Sequence, residues 1–418
     1  MQKHSRLNKV ERRVEVFDKV MLNRILSSKA AMARRIRKFG PEELANLKAV
    51  LDRGELNFAR GGMIDRFERA FAKWVGAEAA MARSSGMAGL AEAISVSGAT
   101  CATEVIVDPV VHFGAIAAAY FNAVPRFADI DYDTYTMSPA SLEANITKQT
   151  RAVIVTHLWG LCANIVKIRD ICRKHKLFLI EDCAHAMGSY WNGQHAGTFG
   201  DAGVFSFQES KQLSTGDGGM VVCGSRLAEY MKSVSFSGES PKFICLNWRM
   251  NETTAAVGLA QLGKVRARLK TVYNKTLAIM NAAIDGCQWL KKRQAPPEAV
   301  QSGYWFACSW EGDRYGLDYA RFKNLCRKRG VQLAFGFNQA APYEFAVFKR
   351  PNLYKHPYCP TRCPFYTKVS GYRYRTGLCP NVERLMPRLV TMSLIFVSVE
   401  QAGRQADLLR AVMREMER

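Results

Sequence analysis

The sequence predicts an α/β fold, a mostly parallel sheet with helices on both faces, followed by a smaller α+β C-terminal domain. Three observations predict it. From about residue 77 to 223, short β-rich runs alternate with helical stretches, the pattern of a parallel sheet built from crossover units. Residues 252 to 283 then read as one long helix, with Ala256, Leu259, Leu262 and Val265 roughly on one face. Beyond it Gln294-Ala295-Pro296-Pro297 breaks the chain, and Pro-, Tyr- and Cys-rich loops occupy 340–381. The expected division is a basic helical arm over 1–50, a large ligand-binding domain over 51–283 and the small domain over 284–418. The chain has 418 residues, enough for two domains with a large core.

The elements follow in order. Ala79 to Ala82 is the first strand, succeeded by a glycine turn and a helix. Val105 to Val107 comes next, then an alanine-rich helix from about Gly114 to Phe121. Val153 to Val155 precedes a helix around Ile165 to His175. Leu177 to Ile180 and Val204 to Phe207 complete the series. In such sheets a ligand sits beyond the carboxyl ends of the strands.

Bulk properties narrow the class. The chain is 48% hydrophobic and 23% charged, ordinary for a soluble enzyme. No apolar run approaches the roughly 20 residues of a membrane span. The N-terminal stretch is basic without an apolar h-region or a small-residue cleavage site, so it is expected to be retained in a cytoplasmic protein. Twelve cysteines are scattered through core-like and helical sequence, which reads as reduced thiols and not a disulfide scaffold. Basic residues outnumber acidic ones 59 to 37, a net +22. Clusters lie in Met32 to Gly40 and Arg321 to Arg329. Such a field favours anionic partners, but a solvated basic surface also accounts for it. No recognition-helix, RNP-like or zinc-finger pattern supports specific nucleic-acid binding.

The chemistry is carried by two strand ends. Phe178-Leu179-Ile180-Glu181-Asp182 is a short buried-strand pattern ending in acid. Lys211 follows Phe205-Ser206-Phe207 and precedes Gly216-Asp217-Gly218-Gly219. An acid and a lysine at the ends of successive strands suit pyridoxal phosphate. The lysine forms a Schiff base with the aldehyde, and Asp182 keeps the pyridine nitrogen protonated so that the ring accepts electrons.

Several segments together resemble the DegT–StrS sugar aminotransferases, within the fold-type-I pyridoxal-phosphate enzymes. They are Glu181-Asp182 with Ala184-His185-Ala186, Gly200-Asp201, the Lys211 segment, and Asn247-Trp248-Arg249-Met250 with Glu252. Ser84-Ser85-Gly86, Ala128-Asp129-Ile130-Asp131, His157-Leu158-Trp159-Gly160 and Cys379-Pro380 with Glu383 also match. The resemblance runs from about Gly40 to the C-terminus. It implies a transaminase that moves an amino group from glutamate or glutamine to a keto-sugar, nucleotide-linked keto-sugar or keto-cyclitol. It implies a homodimer with shared active sites. Lys211 and Asp182 are the implied catalytic pair, and His185 lies near the cofactor phenolate. Gly86, Met87 and Ser206 are implied at the phosphate, with Asn247 reaching in from the partner subunit, and Phe113 over the pyridine ring.

Some positions depart from the family pattern. Met87 stands where the family has Thr or Ser, so backbone amides must carry the phosphate there. His112 stands for Thr, Cys101-Ala102-Thr103 for a Gly-Pro-Gly-Asp turn, and Asn251 for a small hydroxyl residue. Gln208 resembles the branch acting on keto-cyclitols, where many nucleotide-sugar enzymes carry His. Two other readings stay open: a sugar dehydratase, disfavoured because those enzymes replace the lysine with histidine, and a non-catalytic binding protein on the same scaffold. His356, Cys359, Cys363 and Cys379 do not have a zinc-knuckle spacing, and no metal is expected.

Overall fold

Seven strands make the central sheet, and their sequences explain why they are buried on both faces. They are β1 (Ala79–Arg83), β2 (Glu104–Val107), β3 (Val124–Phe127), β4 (Thr150–Thr156), β5 (Phe178–Asp182), β6 (Ala202–Ser206) and β7 (Gly219–Cys223). Runs such as Val105-Ile106-Val107 and Ala152-Val153-Ile154-Val155 are fully buried, as expected of strands covered by helices on both sides. The spatial order is β1-β7-β6-β5-β4-β2-β3. All neighbours are parallel except β7, which runs antiparallel to β1 and β6. The carboxyl ends of β2, β4, β5 and β6 therefore face one side.

The structure, a computed structural model, describes residues 39–57, 60–235, 247–338, 340–349 and 360–418. The arm up to residue 38 lies outside the described residues, as do His356 and Cys359 of the metal motif considered above. Among the described residues, no helix is long and apolar enough to cross a membrane.

Helix α1 (Pro41–Arg53) opens with proline, whose missing N–H costs nothing there, and closes on the left-handed Gly54. It packs on a later helix, Glu252–Arg268. Glu43 of α1 accepts from Gln261 at 2.7 Å and from Lys264 at 2.7 Å. Helix α2 (Met63–Val75) buries Met63, Ile64, Phe67, Phe71 and Val75. Phe71 meets Phe205 and Phe207 of the Lys211 segment with ring centroids 5.0 and 5.5 Å apart. Helices α3 (Gly86–Val96), α4 (Phe113–Tyr120), α5 (Pro139–Asn145), α6 (Ile165–His175) and α7 (Ser225–Ser235) cross between or follow the strands.

The stretch expected as one helix over 252–283 is α8 (Glu252–Arg268) and α9 (Asn274–Ala283), joined by a wider π-type turn over Leu269–Tyr273. Asn251 caps α8 by accepting from the Thr254 N–H at 2.8 Å, so the departure from a small hydroxyl residue keeps the cap. The second core gathers a four-stranded antiparallel sheet, β8 (Leu290–Lys292), β9 (Trp305–Trp310), β10 (Ala334–Phe335) and β11 (Leu389–Ser393). Helices α10 (Tyr319–Arg329) and α11 (Val399–Met416) cover it. This core already includes Leu277 and Met280 of α9. Ala341, Tyr343, Phe348, Cys379, Val382 and Leu385 return to the first core.

Truncating Phe71 to alanine removes one of the two α2 rings, with Phe67, that meet the Lys211 segment. Phe71→Ala is expected to lower unfolding free energy by about 3–5 kcal/mol, read from urea denaturation. A loss below about 1 kcal/mol would mean the site collapses without cost.

Candidate active site

Strand β5 delivers Asp182 to the carboxyl edge of the sheet, opposite Thr156 of β4. The carboxylate is buried and accepts the Ala184 N–H at 3.0 Å. Burial raises its pKa, opposed by that N–H and by the charge of Lys211. Strand β6 ends at Ser206, and the chain then folds through a turn. The Gln208 side-chain oxygen accepts from the Ser210 N–H at 2.8 Å and from its hydroxyl at 2.6 Å. The Gln208 carbonyl receives the Lys211 N–H at 2.8 Å. The Lys211 Nζ donates to the Tyr304 hydroxyl at 3.3 Å and lies 5.3 Å from that ring's centroid. Burial pushes its pKa down to about 8, against the pull of Asp182. Lysine and aspartate thus sense each other's charge in one desolvated site.

The proposed phosphate cradle is a close backbone approach. Ser85 caps α3 by accepting from the Ala88 N–H at 3.0 Å. A Cβ on Gly86 would come within 2.9 Å of the Ser206 Cβ. A Cβ on Gly219 would come within 2.4 Å of the Ser85 carbonyl. Glycine at both places lets the helix start, β6 and β7 meet. Met87 turns toward the core as a partly buried packing residue, so the helix-start backbone and Ser206 are what this cradle offers an anion.

The other expected residues fall as follows. His185 stacks on Tyr304, centroids 4.8 Å apart and planes at 20°. Its Nδ1 is buried without a hydrogen-bond partner, and burial with the nearby Lys211 charge pushes its pKa well below the ordinary value. Phe113 begins α4 and is 46% exposed, with His112 tilted against it at 4.3 Å. Asn247 is exposed and accepts from Arg249 Nε at 3.0 Å. Its neighbour Trp248 receives the Ser84 N–H at 2.8 Å, which sets this segment beside the start of α3 in its own chain.

A second set of groups supports the first. Glu181 is fully buried. Its oxygens accept from His157 Nε2 at 2.8 Å, from the Gly197 N–H at 2.8 Å, and from the Phe199 and Gly200 N–H groups at 2.7 Å each. His157 Nδ1 accepts from Ala163 at 3.1 Å, which fixes the tautomer with hydrogen on Nε2. His157, Glu181 and Cys183 have ligand atoms close enough together for a metal, yet the histidine and carboxylate are already committed to these bonds. Asp108 closes β2 with Val110 N–H at 3.0 Å. Burial pushes its carboxyl up to about 6, with Thr156 and two backbone donors opposing. Trp159, in the turn after β4, holds the left-handed conformation at φ 49°, strained for so bulky a residue. Arg293 donates to the Leu158 carbonyl at 3.0 Å and to the Trp159 carbonyl at 3.1 Å.

These residues fit pyridoxal phosphate on two structural counts. The unpartnered His185 Nδ1 is a buried polar atom facing the Lys211 neighbourhood. The Gly86–Ser206–Gly219 approach is a cradle that a Cβ would fill. Tyr304 and Asp108 are the site residues that sequence reading missed. Tyr304 lies 93 residues beyond Lys211, at the entry to the small sheet, where it reads as a core aromatic. Asp108 reads as an ordinary acid after a strand.

The family described as the DegT/DnrJ/EryC1/StrS aminotransferase family matches residues 38–366. The GDP-perosamine synthase of Vibrio cholerae is 36% identical over 220 residues, covering 51% of this chain and 60% of that one. The L-glutamine:2-deoxy-scyllo-inosose aminotransferase of Streptomyces kanamyceticus is 31% identical over 257 residues, 57% of this chain and 60% of that one. The match thus spans 60% of the length of each of these relatives. The solved aminotransferase from Psychrobacter cryohalolentis superposes with a TM-score of 0.78 at 21% identity, over 91% of this chain and 99% of that one. At that identity the likeness is one of fold.

In cofactor-free protein, competitive acetylation of Lys211 is expected to rise through a midpoint near pH 8. The amine reacts only when unprotonated, so a lowered pKa moves its reactivity to lower pH. Exposed lysines should follow a midpoint of about 10.4. Peptide mass spectrometry reads both, and a Lys211 midpoint equal to theirs would place the amine in water.

Proposed function

This chain belongs to the DegT/DnrJ/EryC1/StrS aminotransferase family, and from that premise we propose that it is a pyridoxal-phosphate-dependent aminotransferase. It moves an amino group from glutamate or glutamine to a ketone on a sugar, nucleotide-linked sugar or cyclitol. The observation that carries this reading is the desolvated Lys211 amine, lowered to about 8, electrostatically coupled to the buried Asp182. The names of the relatives support the substrate class: one is a GDP-perosamine synthase, the other takes L-glutamine and 2-deoxy-scyllo-inosose.

Pyridoxal phosphate, when bound, supplies an aldehyde for covalent attachment and an electron sink for the substrate's bond cleavage. The chain's residues supply the rest. Lys211 Nζ is a nucleophile in its neutral form and, when free, takes a proton from one carbon and returns it to another. Tyr304 positions that amine through its hydroxyl. Asp182 would hold a proton on the ring nitrogen by its charge. The start of α3 and Ser206 would hold the phosphate, and Phe113 would lie against the ring. His185 would meet the phenolate edge. The presence of lysine at 211 supports amino transfer over dehydration. Assaying a panel of keto-sugars and keto-cyclitols with glutamate and with glutamine tests the function. Borohydride-fixed cofactor on any lysine other than Lys211 would overturn it.

Asp182→Asn is expected to keep most cofactor content while lowering kcat by about a hundredfold or more, because an uncharged partner no longer keeps the ring nitrogen protonated. Steady-state rates at saturating cofactor check this; rates equal to wild type would remove the role from Asp182.

We also infer a cytoplasmic homodimer in which Asn247 reaches the phosphate of the neighbouring site. The exposure of Asn247 supports it, while the apolar face of α8 is packed against α1 and α2 of its own chain. Mixing Lys211→Ala with Asn247→Ala subunits should restore activity, since one site of a mixed dimer then carries both defects and the other neither. A mixture that stays inactive despite proven subunit exchange would sink the shared site.

A further inference from the structure

Far from the candidate site, at the amino ends of β2 and β3, two cysteines 262 residues apart meet with Sγ atoms 3.3 Å apart. Cys101 lies in the turn before β2, where Ala102 is left-handed at φ 64°. Cys363 lies just ahead of the short helix Pro364–Thr367. Seven of the ten described free cysteines are buried, whereas Cys101 and Cys363 are partly exposed. The segment after Cys363 is held to the sheet by ring packing, with Tyr374 5.8 Å from Phe127 and Arg126 4.4 Å from the Tyr372 ring centroid, and by polar contacts. Tyr366 donates to Glu104 at 2.5 Å. Tyr372 receives the Phe127 N–H at 3.1 Å, and Tyr374 donates to the Pro125 carbonyl at 2.9 Å.

We propose that Cys101 and Cys363 form a reversible disulfide that fastens the 361–378 segment to the amino end of β2 under oxidising conditions. The sulfurs are already in contact, and both sit in loops that can give the small shift bond formation needs. The two thiols are also unlike. Burial opposes charge on Cys363, but the Cys101 contact and the N–H groups of Tyr366 and Phe365 outweigh it and hold its pKa below the ordinary value. Cys101 is raised, by the same contact first and by burial second. Cys363 is therefore the attacking thiolate. With a peroxide as oxidant, its sulfur displaces hydroxide from the O–O bond and becomes a sulfenic acid. The Cys101 thiolate, its proton lost to water, then attacks that sulfur; the S–S bond forms and the second oxygen leaves as water. Both thiols are oxidised by two electrons in total, and one peroxide becomes two waters.

The test treats the cofactor-loaded protein with hydrogen peroxide, caps remaining thiols, and maps non-reduced peptides. The expected product joins the Cys101 and Cys363 peptides, lowers the free-thiol count from twelve to ten, and reverts with dithiothreitol. Neither Cys101→Ser nor Cys363→Ser should give it. Arg373 and Arg375 are exposed tryptic sites on the fastened segment. Their cleavage should slow at least about fivefold on oxidation, as local opening is suppressed. Sulfenic acid without a cross-link, or Cys363 joined to a different cysteine, would overturn the pairing. A correct cross-link with unchanged cleavage would overturn the fastening.

Discussion

The Glu181 carboxylate organises the candidate site through its hydrogen bonds. It is buried among four donors, three of them backbone N–H groups of the 197–200 loop and the fourth the ring of His157. Hydrogen bonds to a charged acceptor contribute about 1.5–3 kcal/mol each, and a donor left unpaired costs about as much. The loop is thereby pressed onto β6 so closely that a Cβ on Gly203 would come within 2.2 Å of the Gly197 carbonyl. His157, locked in one tautomer by Ala163, fixes the end of β4 beside the end of β5. Asp182, the next residue along, inherits its position from these bonds.

Around that anchor the protein keeps several ionisable groups out of water. Asp182, Asp108 and Lys211 each depart from their ordinary pKa values chiefly through burial. Desolvated charge costs stability, and the aromatic packing of α2 on Phe205 and Phe207 offsets part of that cost. The same burial leaves Lys211 partly neutral and keeps Asp182 from being screened by solvent. Stability and reactivity are set by one variable here, the exclusion of water from the carboxyl ends of β5 and β6.

Much of this was legible in the sequence. The strands at Ala79, Val105, Val153, Leu177 and Val204 were readable because each is a short apolar run between turn residues. Helix Ile165–His175 was readable from its spacing. Strand β3 was harder to see, since Pro125 and Arg126 interrupt its pattern, and β7 looked like a glycine-rich tail after Lys211. The π-type turn at Leu269 leaves no mark on an apolar stripe. The proposed pair Lys211 and Asp182 stood out because local chemistry and motif agree, and the structure brings the two into one buried site. Tyr304 and Arg293 were not, since their partners are brought together only by tertiary packing. The Cys101–Cys363 contact was hidden for the same reason, and the cysteine count alone pointed to unpaired thiols.

Arg293 and Tyr304 also set an order of events during synthesis. Every strand of the central sheet, with Lys211 and Asp182, has been made before either residue leaves the ribosome. Until Arg293 arrives, the strained turn at Trp159 lacks the guanidinium that ties down its two carbonyls. Until Tyr304 arrives, the lysine amine has neither its hydroxyl partner nor the ring that covers it. A nascent chain ending near residue 283 therefore carries the lysine without that hydroxyl and without that ring.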